Sequence, residues 1–143
     1  MRILVTGGAG YIGSVIVSRL TARGHDVVVY DDLSRGHRAA VAGGVPLVDG
    51  DVRDPDAVRD ALLEGGCEAV VHMAALAEVA ESVAEPARYR SVNVDGTAAV
   101  LAAARATDVD RLVFSSTAAV YGAPQRTPID EDDALAPTNP YGE

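Results

Sequence analysis

The stretch RILVTGGAGYIG, residues 2–13, decides the fold. A short β-branched strand pattern runs directly into spaced glycines, and the glycines run into the start of a helical pattern. This order brings a helix N-terminus close to a phosphate group. We expect Gly7 or Gly8 to make the tight turn. Gly10 then leaves room for a pyrophosphate, and Gly13 lets the helix pack closely. Because glycine clusters also form ordinary turns, it is their position between strand and helix that indicates a dinucleotide site.

An acidic residue further along the chain supports this interpretation. Residues 26–30 predict a second buried strand, and Asp31 follows it, 18 residues after Gly13. That spacing is typical of a carboxylate that binds the ribose diol of a dinucleotide and repels a 2′-phosphate, which favours NAD over NADP. Arg35 leaves NADP open, because an arginine there can accept a 2′-phosphate. In the alternative interpretation, Asp31 merely ends the strand.

The composition indicates one globular domain. The chain has 143 residues, of which 48% are hydrophobic, enough to bury a core. It has no apolar run near the roughly 20 residues that span a membrane, and it begins with a strand pattern, so we expect neither a membrane contact nor a signal peptide. The single cysteine, Cys67, fits a reducing compartment, and we expect a cytoplasmic protein. A formal net charge of −9 disfavours nucleic acid as a partner. We predict no metal site.

Strand and helix patterns alternate along the chain. Strand patterns recur at residues 45–48, 69–73 and 111–115, and helical patterns follow Gly13, Pro55 and Pro86, the last reaching to about residue 107. They predict an α/β fold with a doubly wound parallel sheet, Rossmann-like, in strand order 3-2-1-4-5. The ligand crevice is expected at the carboxyl ends of strands 1 and 4. The first helix is predicted to bury a stripe of apolar residues: Ile12, Val15, Ile16 and Leu20.

The last part of the chain has a different character. Residues 123–140 contain several prolines and the acidic run 130–133, which predicts a surface loop. No sixth strand follows the fifth. We therefore expect residues 1–143 to form a dinucleotide-binding domain that is incomplete at its C-terminus, lacks a substrate domain and has one bare sheet edge.

Eight segments of the chain together resemble one family, the extended short-chain dehydrogenase/reductase proteins that act on nucleotide sugars. The resemblance extends over the whole chain, which is similar to the N-terminal, cofactor-binding portion of longer family members. Each segment alone is a weak signal, but their order and spacing together are specific. The segments are residues 6–13, 31–38, 49–53, 72–76, 81–83, 93–97, 114–122 and 139–142.

The resemblance implies NAD as the cofactor. It places the end of strand 3 against adenine, and the end of strand 4 along the pyrophosphate and the nicotinamide ribose. Asn93 is implied to anchor the loops around the cofactor, although an asparagine at this point can equally cap or tie down an ordinary loop. The implied cofactor-binding residues are Gly7, Gly10, Tyr11, Ile12, Gly13, Asp31, Asp32, Leu33, Ser34, Arg35, Gly36, Asp51, Val52, Met73, Ala74, Ala75, Leu76, Asn93 and Ser115.

The resemblance also implies hydride-transfer chemistry, namely 4-epimerisation of a nucleotide sugar such as UDP-glucose or UDP-galactose through a 4-keto intermediate. Tyr141 matches the tyrosine that removes the sugar 4-hydroxyl proton, and Thr117 matches the Ser/Thr whose hydroxyl binds the same oxygen. The family's lysine would be residue 145, past the last residue here, so we expect this chain alone to turn over little or no substrate. Family members form homodimers through two long helices. This chain carries one of them, so we do not expect it to dimerise.

Some residues depart from the family pattern. Ala77 stands where many members carry lysine, so one cofactor contact is missing. Ala118 and Ala119 stand where the 4,6-dehydratases carry an acidic pair, which argues against dehydration. Two alternatives stay open: another enzyme of the family, such as a UDP-glucuronate decarboxylase or a different epimerase, and a non-catalytic module that binds NAD(H). For His72 we expect a hydrogen-bonded structural histidine rather than a base.

Overall fold

The computed structural model describes residues 1–143 and contains one sheet of five parallel strands. The strands are β1 (Arg2–Thr6), β2 (Asp26–Asp31), β3 (Leu47–Asp49), β4 (Ala69–His72) and β5 (Leu112–Phe114). Their order in the sheet is β3-β2-β1-β4-β5, so the predicted Rossmann-like topology is confirmed. Thr6 is in register with Tyr30 on one side and His72 on the other, so the carboxyl ends of the three central strands meet at one edge.

Helices cover both faces of the sheet. They are α1 (Tyr11–Ala22), α2 (Pro55–Gly65), α3 (Val79–Ala84), α4 (Pro86–Tyr89) and α5 (Gly96–Ala106), with a π-helical segment (Arg90–Asp95) and two 3₁₀ turns (Arg38–Ala40 and Ala118–Tyr121). No helix of the protein combines the length and the apolar character needed to cross a bilayer.

The ends of α2 illustrate how the sequence sets element boundaries. The Asp54 carboxylate accepts hydrogen bonds from the amides of Asp56 and Ala57, and Pro55 occupies the first helical position. Gly66 ends the helix in the left-handed conformation, at φ 56°. The helix predicted to follow Pro55 is therefore confirmed, and both of its ends are set by residues next to them in the sequence.

The core consists of two layers, one on each side of the sheet. Alternate residues of β1 belong to different layers: Ile3 and Val5 face α1, whereas Leu4 faces α2 and α5. Leu4 and Val5 are completely buried. Strands covered on both faces read as continuous apolar runs, which is why the sequence indicated a parallel sheet.

The predicted buried stripe of α1 is wrong in two of its four positions. Ile12 and Val15 are 61% and 51% exposed, and Val17 is fully buried instead. The cause is Gly13, which lies so close to the glycine turn that a Cβ there would overlap the Gly7 carbonyl oxygen. This contact fixes the rotation of the helix about its axis, so its own apolar spacing does not decide which side faces the sheet.

The predicted helix from Pro86 to about residue 107 exists but is not uniform. The chain from Pro86 to Ala106 is helical throughout. The middle of this stretch is the π-helical segment Arg90–Asp95. A π-helical turn shifts the side chains that follow it relative to a regular α-helix, and such turns are frequent at functional sites. The short helix α3 before it was not predicted.

After β5 the chain forms turns and loops, as predicted for residues 123–140. The Ala136 amide donates to the Val120 carbonyl oxygen at 2.9 Å, which folds the end of the chain back onto the turn after β5. The Thr127–Pro128 peptide bond is cis. β5 is an edge strand of the sheet, and its Val113 and Phe114 side chains are exposed.

Candidate functional site

The glycine turn joins β1 to α1 and opens a space at the sheet edge. Gly7 has φ +68°, and a Cβ there would lie 2.6 Å from the Ala74 amide nitrogen, so only glycine fits. The Gly10 position is open, since a Cβ on it would meet only the Gly7 carbonyl oxygen, at 3.3 Å. The turn is therefore closely packed where it contacts the residues that follow β4, and it leaves space where it faces the crevice, as predicted.

The first turn of α1 presents unpaired donors. The amides of Tyr11, Ile12 and Gly13 have no hydrogen-bond partner in the protein, whereas the Ser14 amide already donates to the Gly10 carbonyl oxygen. Free N–H groups and the positive end of the helix dipole make such a terminus suited to an anion. The side chains of Tyr11 and Ile12 are exposed to solvent, so any role of these residues in binding belongs to their backbone amides.

Asp31 organises the loops around this turn. Its carboxylate accepts hydrogen bonds from the Ala9 amide and from the Leu33 amide, both at 2.9 Å, and it is only 7% exposed. Gly36 packs so closely that a Cβ there would lie 2.7 Å from the Asp31 Oδ1. Each carboxylate oxygen can accept one further hydrogen bond. Asp31 thus does more than end a strand, and the sequence did not reveal that it ties two loops together.

A first cavity lies over the carboxyl ends of β1, β2 and β3. Of its fifteen lining residues, thirteen are predicted cofactor-binding residues, and Gly50 and Val92 are the two that were missed. Tyr11, Ile12, Gly13 and Leu33, also predicted, do not line it. The predicted lining residues are Gly7, Gly10, Asp31, Asp32, Ser34, Arg35, Gly36, Asp51, Val52, Met73, Ala74, Ala75 and Leu76.

A second cavity lies over β4 and β5 and shares Met73, Ala74 and Ala75 with the first, so the two form one continuous crevice. The predicted residues brought together here are Asn93, Ser115, Thr117 and Tyr141. The residues that sequence reasoning did not assign to a site are His72, Val94, Thr97, Phe114, Ser116, Val120, Gly142 and Glu143.

The loop after β4 is held at both of its ends. The Thr6 hydroxyl oxygen accepts hydrogen bonds from the Met73 and Ala74 amides, at 3.2 and 3.3 Å. Asn93, in the π-helical segment, donates its amide to the Leu76 carbonyl oxygen and accepts from the Leu76 amide, both at 2.9 Å. Asn93 therefore anchors the loop that the two cavities share.

His72 connects these two anchors through its ring. The Thr97 hydroxyl donates to the Asn93 carbonyl oxygen at 2.6 Å, so its oxygen must accept from the His72 Nε2, at 3.0 Å. The His72 Nδ1 then accepts from the Thr6 hydroxyl, at 2.6 Å. Burial lowers the pKa of His72 to about 4, so the ring is neutral at physiological pH. With both nitrogens engaged, it is the structural histidine that we predicted. Thr97, four residues after Asn93, could have been found from that helical spacing.

Tyr141 and Thr117 both line the second cavity, although they belong to different loops. The Thr117 Oγ1 accepts from the Ala119 amide at 3.1 Å, which leaves its hydroxyl hydrogen free to donate. Asn139 caps the turn around Tyr141, because its Oδ1 accepts from the Gly142 amide at 2.9 Å. A Cβ on Gly142 would lie 2.6 Å from the Ala119 carbonyl oxygen, so glycine allows the two loops to touch.

Arg35 lines the first cavity and forms an ion pair with Glu81 of α3. One guanidinium nitrogen lies 2.6 Å and 2.7 Å from the two Glu81 carboxylate oxygens. Glu81 also accepts from the hydroxyl of the buried Tyr89 at 2.9 Å and from Arg88 at 3.0 Å. These donors hold the pKa of Glu81 below its usual value, with the Tyr89 hydrogen bond as the largest cause.

Comparison with known proteins gives a consistent result. A sequence model of the family described as "NAD dependent epimerase/dehydratase family" matches residues 3–143. The UDP-glucose 4-epimerase of Streptomyces lividans is 49% identical, over 99% of this chain and 43% of that protein. The chain thus spans less than half the length of this curated relative.

Two solved structures of UDP-glucose 4-epimerases superimpose closely on this chain. The UDP-glucose 4-epimerase of Brucella ovis, solved in complex with NAD, superimposes with a TM-score of 0.95 and 45% identity, over 99% of this chain and 43% of that one. The UDP-glucose 4-epimerase of Thermotoga maritima, solved with UDP-glucose, superimposes with a TM-score of 0.94 and 36% identity, over 99% and 47%.

Proposed function

We infer, because the chain belongs to the NAD dependent epimerase/dehydratase family, that residues 1–143 are the NAD-binding domain of a nucleotide-sugar epimerase, an isomerase of carbohydrate metabolism. UDP-glucose and UDP-galactose are the proposed substrates, interconverted at C4. The observation that carries the proposal is the continuous crevice: the glycine turn and Asp31 lie at one end, and Tyr141 and Thr117 lie at the other.

The residues present fit a dinucleotide. The unpaired amides of Tyr11, Ile12 and Gly13 suit a pyrophosphate, and the open space at Gly10 lets it approach the backbone. The free lone pairs of the Asp31 carboxylate suit the hydroxyls of the adenosine ribose. The shared wall of Met73, Ala74 and Ala75 gives the nicotinamide half an apolar surface to lie on. In this arrangement the first cavity takes the adenosine and the second takes the nicotinamide.

The proposed reaction uses two side chains of the second cavity. Bound NAD⁺ supplies a group that takes a hydride from a sugar carbon and can return it. In its phenolate form, Tyr141 accepts the proton of the sugar 4-hydroxyl as the C4–H bond breaks. The resulting phenol returns that proton when the 4-keto sugar is reduced on its other face. Thr117, whose hydroxyl hydrogen is free, donates a hydrogen bond to the same sugar oxygen and holds it near Tyr141.

Dehydration is disfavoured, since Ala118 and Ala119 in the 3₁₀ turn beside Thr117 offer neither a proton donor nor an acceptor. A decarboxylase or another epimerase of the family would use the same two cavities. A module that binds NAD(H) without chemistry would need only the first cavity and the shared wall. The side chains of Tyr141 and Thr117 on the second cavity favour the enzyme over such a module.

Calorimetric titration with NAD⁺ and NADH tests the cofactor assignment. We expect saturable binding at one site, and Gly10→Val should abolish it, because Gly10 has an ordinary extended φ of −77° and its new side chain would project into the crevice. Gly43→Val, at an exposed position with no atom within 4 Å of the added Cβ, is the matched control and should bind as the wild type does. Absence of binding by the folded wild type would refute the proposal.

The chemistry is tested in a full-length epimerase of the family in which residues 1–143 replace the matching N-terminal part. The assay follows the conversion of UDP-galactose into UDP-glucose with a UDP-glucose-specific coupling enzyme. Tyr141→Phe should lower kcat at least a hundredfold, in the range of general acid–base catalysis. Tyr121→Phe, which removes a phenol hydroxyl from the neighbouring 3₁₀ turn, is the control and should be near wild type. Equal rates for the wild type and Tyr141→Phe would exclude Tyr141 as the base.

A further inference from the structure

The ion pair between Arg35 and Glu81 has no part in the reaction described above. We propose that Glu81 is a specificity-determining residue: it neutralises Arg35 and thereby makes the site reject dinucleotides that carry a 2′-phosphate. The proposal rests on the proposed function, since it takes the first cavity to hold the adenosine ribose. It assigns part of the preference for NAD over NADP to a residue outside the ribose-binding loop.

Arg35 stands where it could bind a 2′-phosphate. It lines the same cavity as Asp31 and belongs to the loop that follows β2, which carries the residues proposed to surround the ribose. A guanidinium pairs readily with phosphate oxygens through charge-assisted hydrogen bonds. With Arg35 free, the site would combine the repulsion from Asp31 with an attraction from Arg35, and its discrimination between the two dinucleotides would be weak.

Glu81 removes that attraction. Both of its carboxylate oxygens lie within 2.7 Å of one Arg35 nitrogen, so the pair carries no net charge toward the cavity. A phosphate that approached Arg35 would also approach the Glu81 carboxylate and be repelled by it. Glu81 itself does not line the cavity, so it acts on the ligand only through Arg35 and through its charge.

Glu81 is fixed in place independently of Arg35. The hydroxyl of Tyr89, a residue buried to 99%, donates to one carboxylate oxygen, and the same hydroxyl accepts from the Glu78 amide at 2.9 Å. Arg88 holds the other carboxylate oxygen at 3.0 Å. Arg35 is the more exposed partner, with 53% of its side chain accessible against 23% for Glu81. The carboxylate is therefore the fixed partner of the pair, and the arginine the one that adapts.

Glu81→Gln is the decisive variant. It removes the charge but keeps an oxygen that can accept from Tyr89, so the fold around α3 is retained. We measure the dissociation constants of NADP⁺ and NAD⁺ by calorimetry at an ionic strength of about 0.15 M, where exposed charges more than about 8 Å apart are largely screened. We then compare the ratio of the NADP⁺ constant to the NAD⁺ constant. Every variant keeps Asp31, so the ratio isolates the interaction with the 2′-phosphate. We expect Glu81→Gln to lower the ratio roughly tenfold, chiefly by tightening NADP⁺ binding.

The control is Glu85→Gln, which removes the same charge from a neighbouring glutamate that contacts Arg88, at 3.6 Å, but not Arg35. It should leave the ratio within about twofold of the wild type, because the long-range effect of a distant charge is screened. In the double variant Arg35→Ala/Glu81→Gln the gain should disappear. The single variant Arg35→Ala uncovers only the repulsion from Glu81 and should raise the ratio by no more than about threefold. This measurement does not depend on how well Glu81→Gln folds.

Several outcomes would overturn the proposal: an unchanged ratio in Glu81→Gln, an equal fall in Glu85→Gln, a gain that survives in the double variant, or a rise of about tenfold or more in Arg35→Ala alone. Each of these leaves NAD⁺ binding by the wild type intact, so the proposed function would stand. If the folded wild type binds neither nucleotide, the proposed function fails, and this inference fails with it.

Discussion

Replacing Asn93 by alanine removes both hydrogen bonds that hold Leu76, one at its amide and one at its carbonyl oxygen. Leu76 is 94% buried, so its two backbone groups lose their partners without full access to water. A net loss of about 1 kcal/mol for each bond gives an expected destabilisation of about 2 kcal/mol, and more if water cannot enter. For a chain of 143 residues that corresponds to a fall in the melting temperature of roughly 4–8 °C.

Urea unfolding followed by circular dichroism measures the change in the free energy of unfolding directly. The matched control is Ser91→Ala, in the same π-helical segment, whose hydroxyl makes one long contact of 3.4 Å with Arg53 at the surface. Its expected effect is below about 0.5 kcal/mol. We also expect Asn93→Ala to weaken NAD⁺ binding, because the loop it releases forms the shared wall of both cavities. A destabilisation of Asn93→Ala no larger than that of Ser91→Ala would refute this account of the anchor.

Three further predictions concern the fold. Gly13→Ala should unfold the protein or lower its melting temperature by well over 5 °C, because the added Cβ would overlap the Gly7 carbonyl oxygen. Gly43→Ala is the control and should melt as the wild type does. A thermal scan of the two variants measures the difference. Asp54→Ala should cost about 1 kcal/mol in urea unfolding through loss of the α2 cap, and Glu64→Ala in the same helix much less. Burial lowers the pKa of His72 from 6.5 to about 4, so the unfolded chain binds its proton first as the pH falls. Stability should therefore decrease between about pH 6.5 and 4 by about 3 kcal/mol from this group, and His72→Gln should show a correspondingly flatter pH dependence; identical slopes would contradict it.

The sequence was sufficient for the topology because local signals agreed with the global fold. Gly7 and Gly13 mark the turn, continuous apolar strands mark a sheet covered on both faces, and Asp54 with Pro55 marks a helix start. These features depend on a few neighbouring residues, so periodicity and turn chemistry are enough to find them.

What the sequence missed depends on contacts between distant segments. The rotation of α1 is set by Gly13 against Gly7 rather than by its own apolar spacing. Three such contacts are the hydrogen bond of Asp31 with Ala9, that of His72 with Thr97, and the ion pair of Arg35 with Glu81. The two partners are at least 22 positions apart in each case. None of these pairs has a local pattern, because hydrogen bonds across a parallel sheet connect segments that the chain separates by whole crossovers.

The triplet Met73, Ala74 and Ala75 belongs to both halves of the crevice, and its surroundings give it little freedom to move, since Thr6 holds one side and Asn93 the other. A molecule that binds on the adenosine side therefore finds the triplet already in place, and so does whatever occupies the nicotinamide side. Neither subsite has to order that strip of backbone for the other, so half-molecules such as AMP and a nicotinamide nucleoside should bind independently rather than cooperatively.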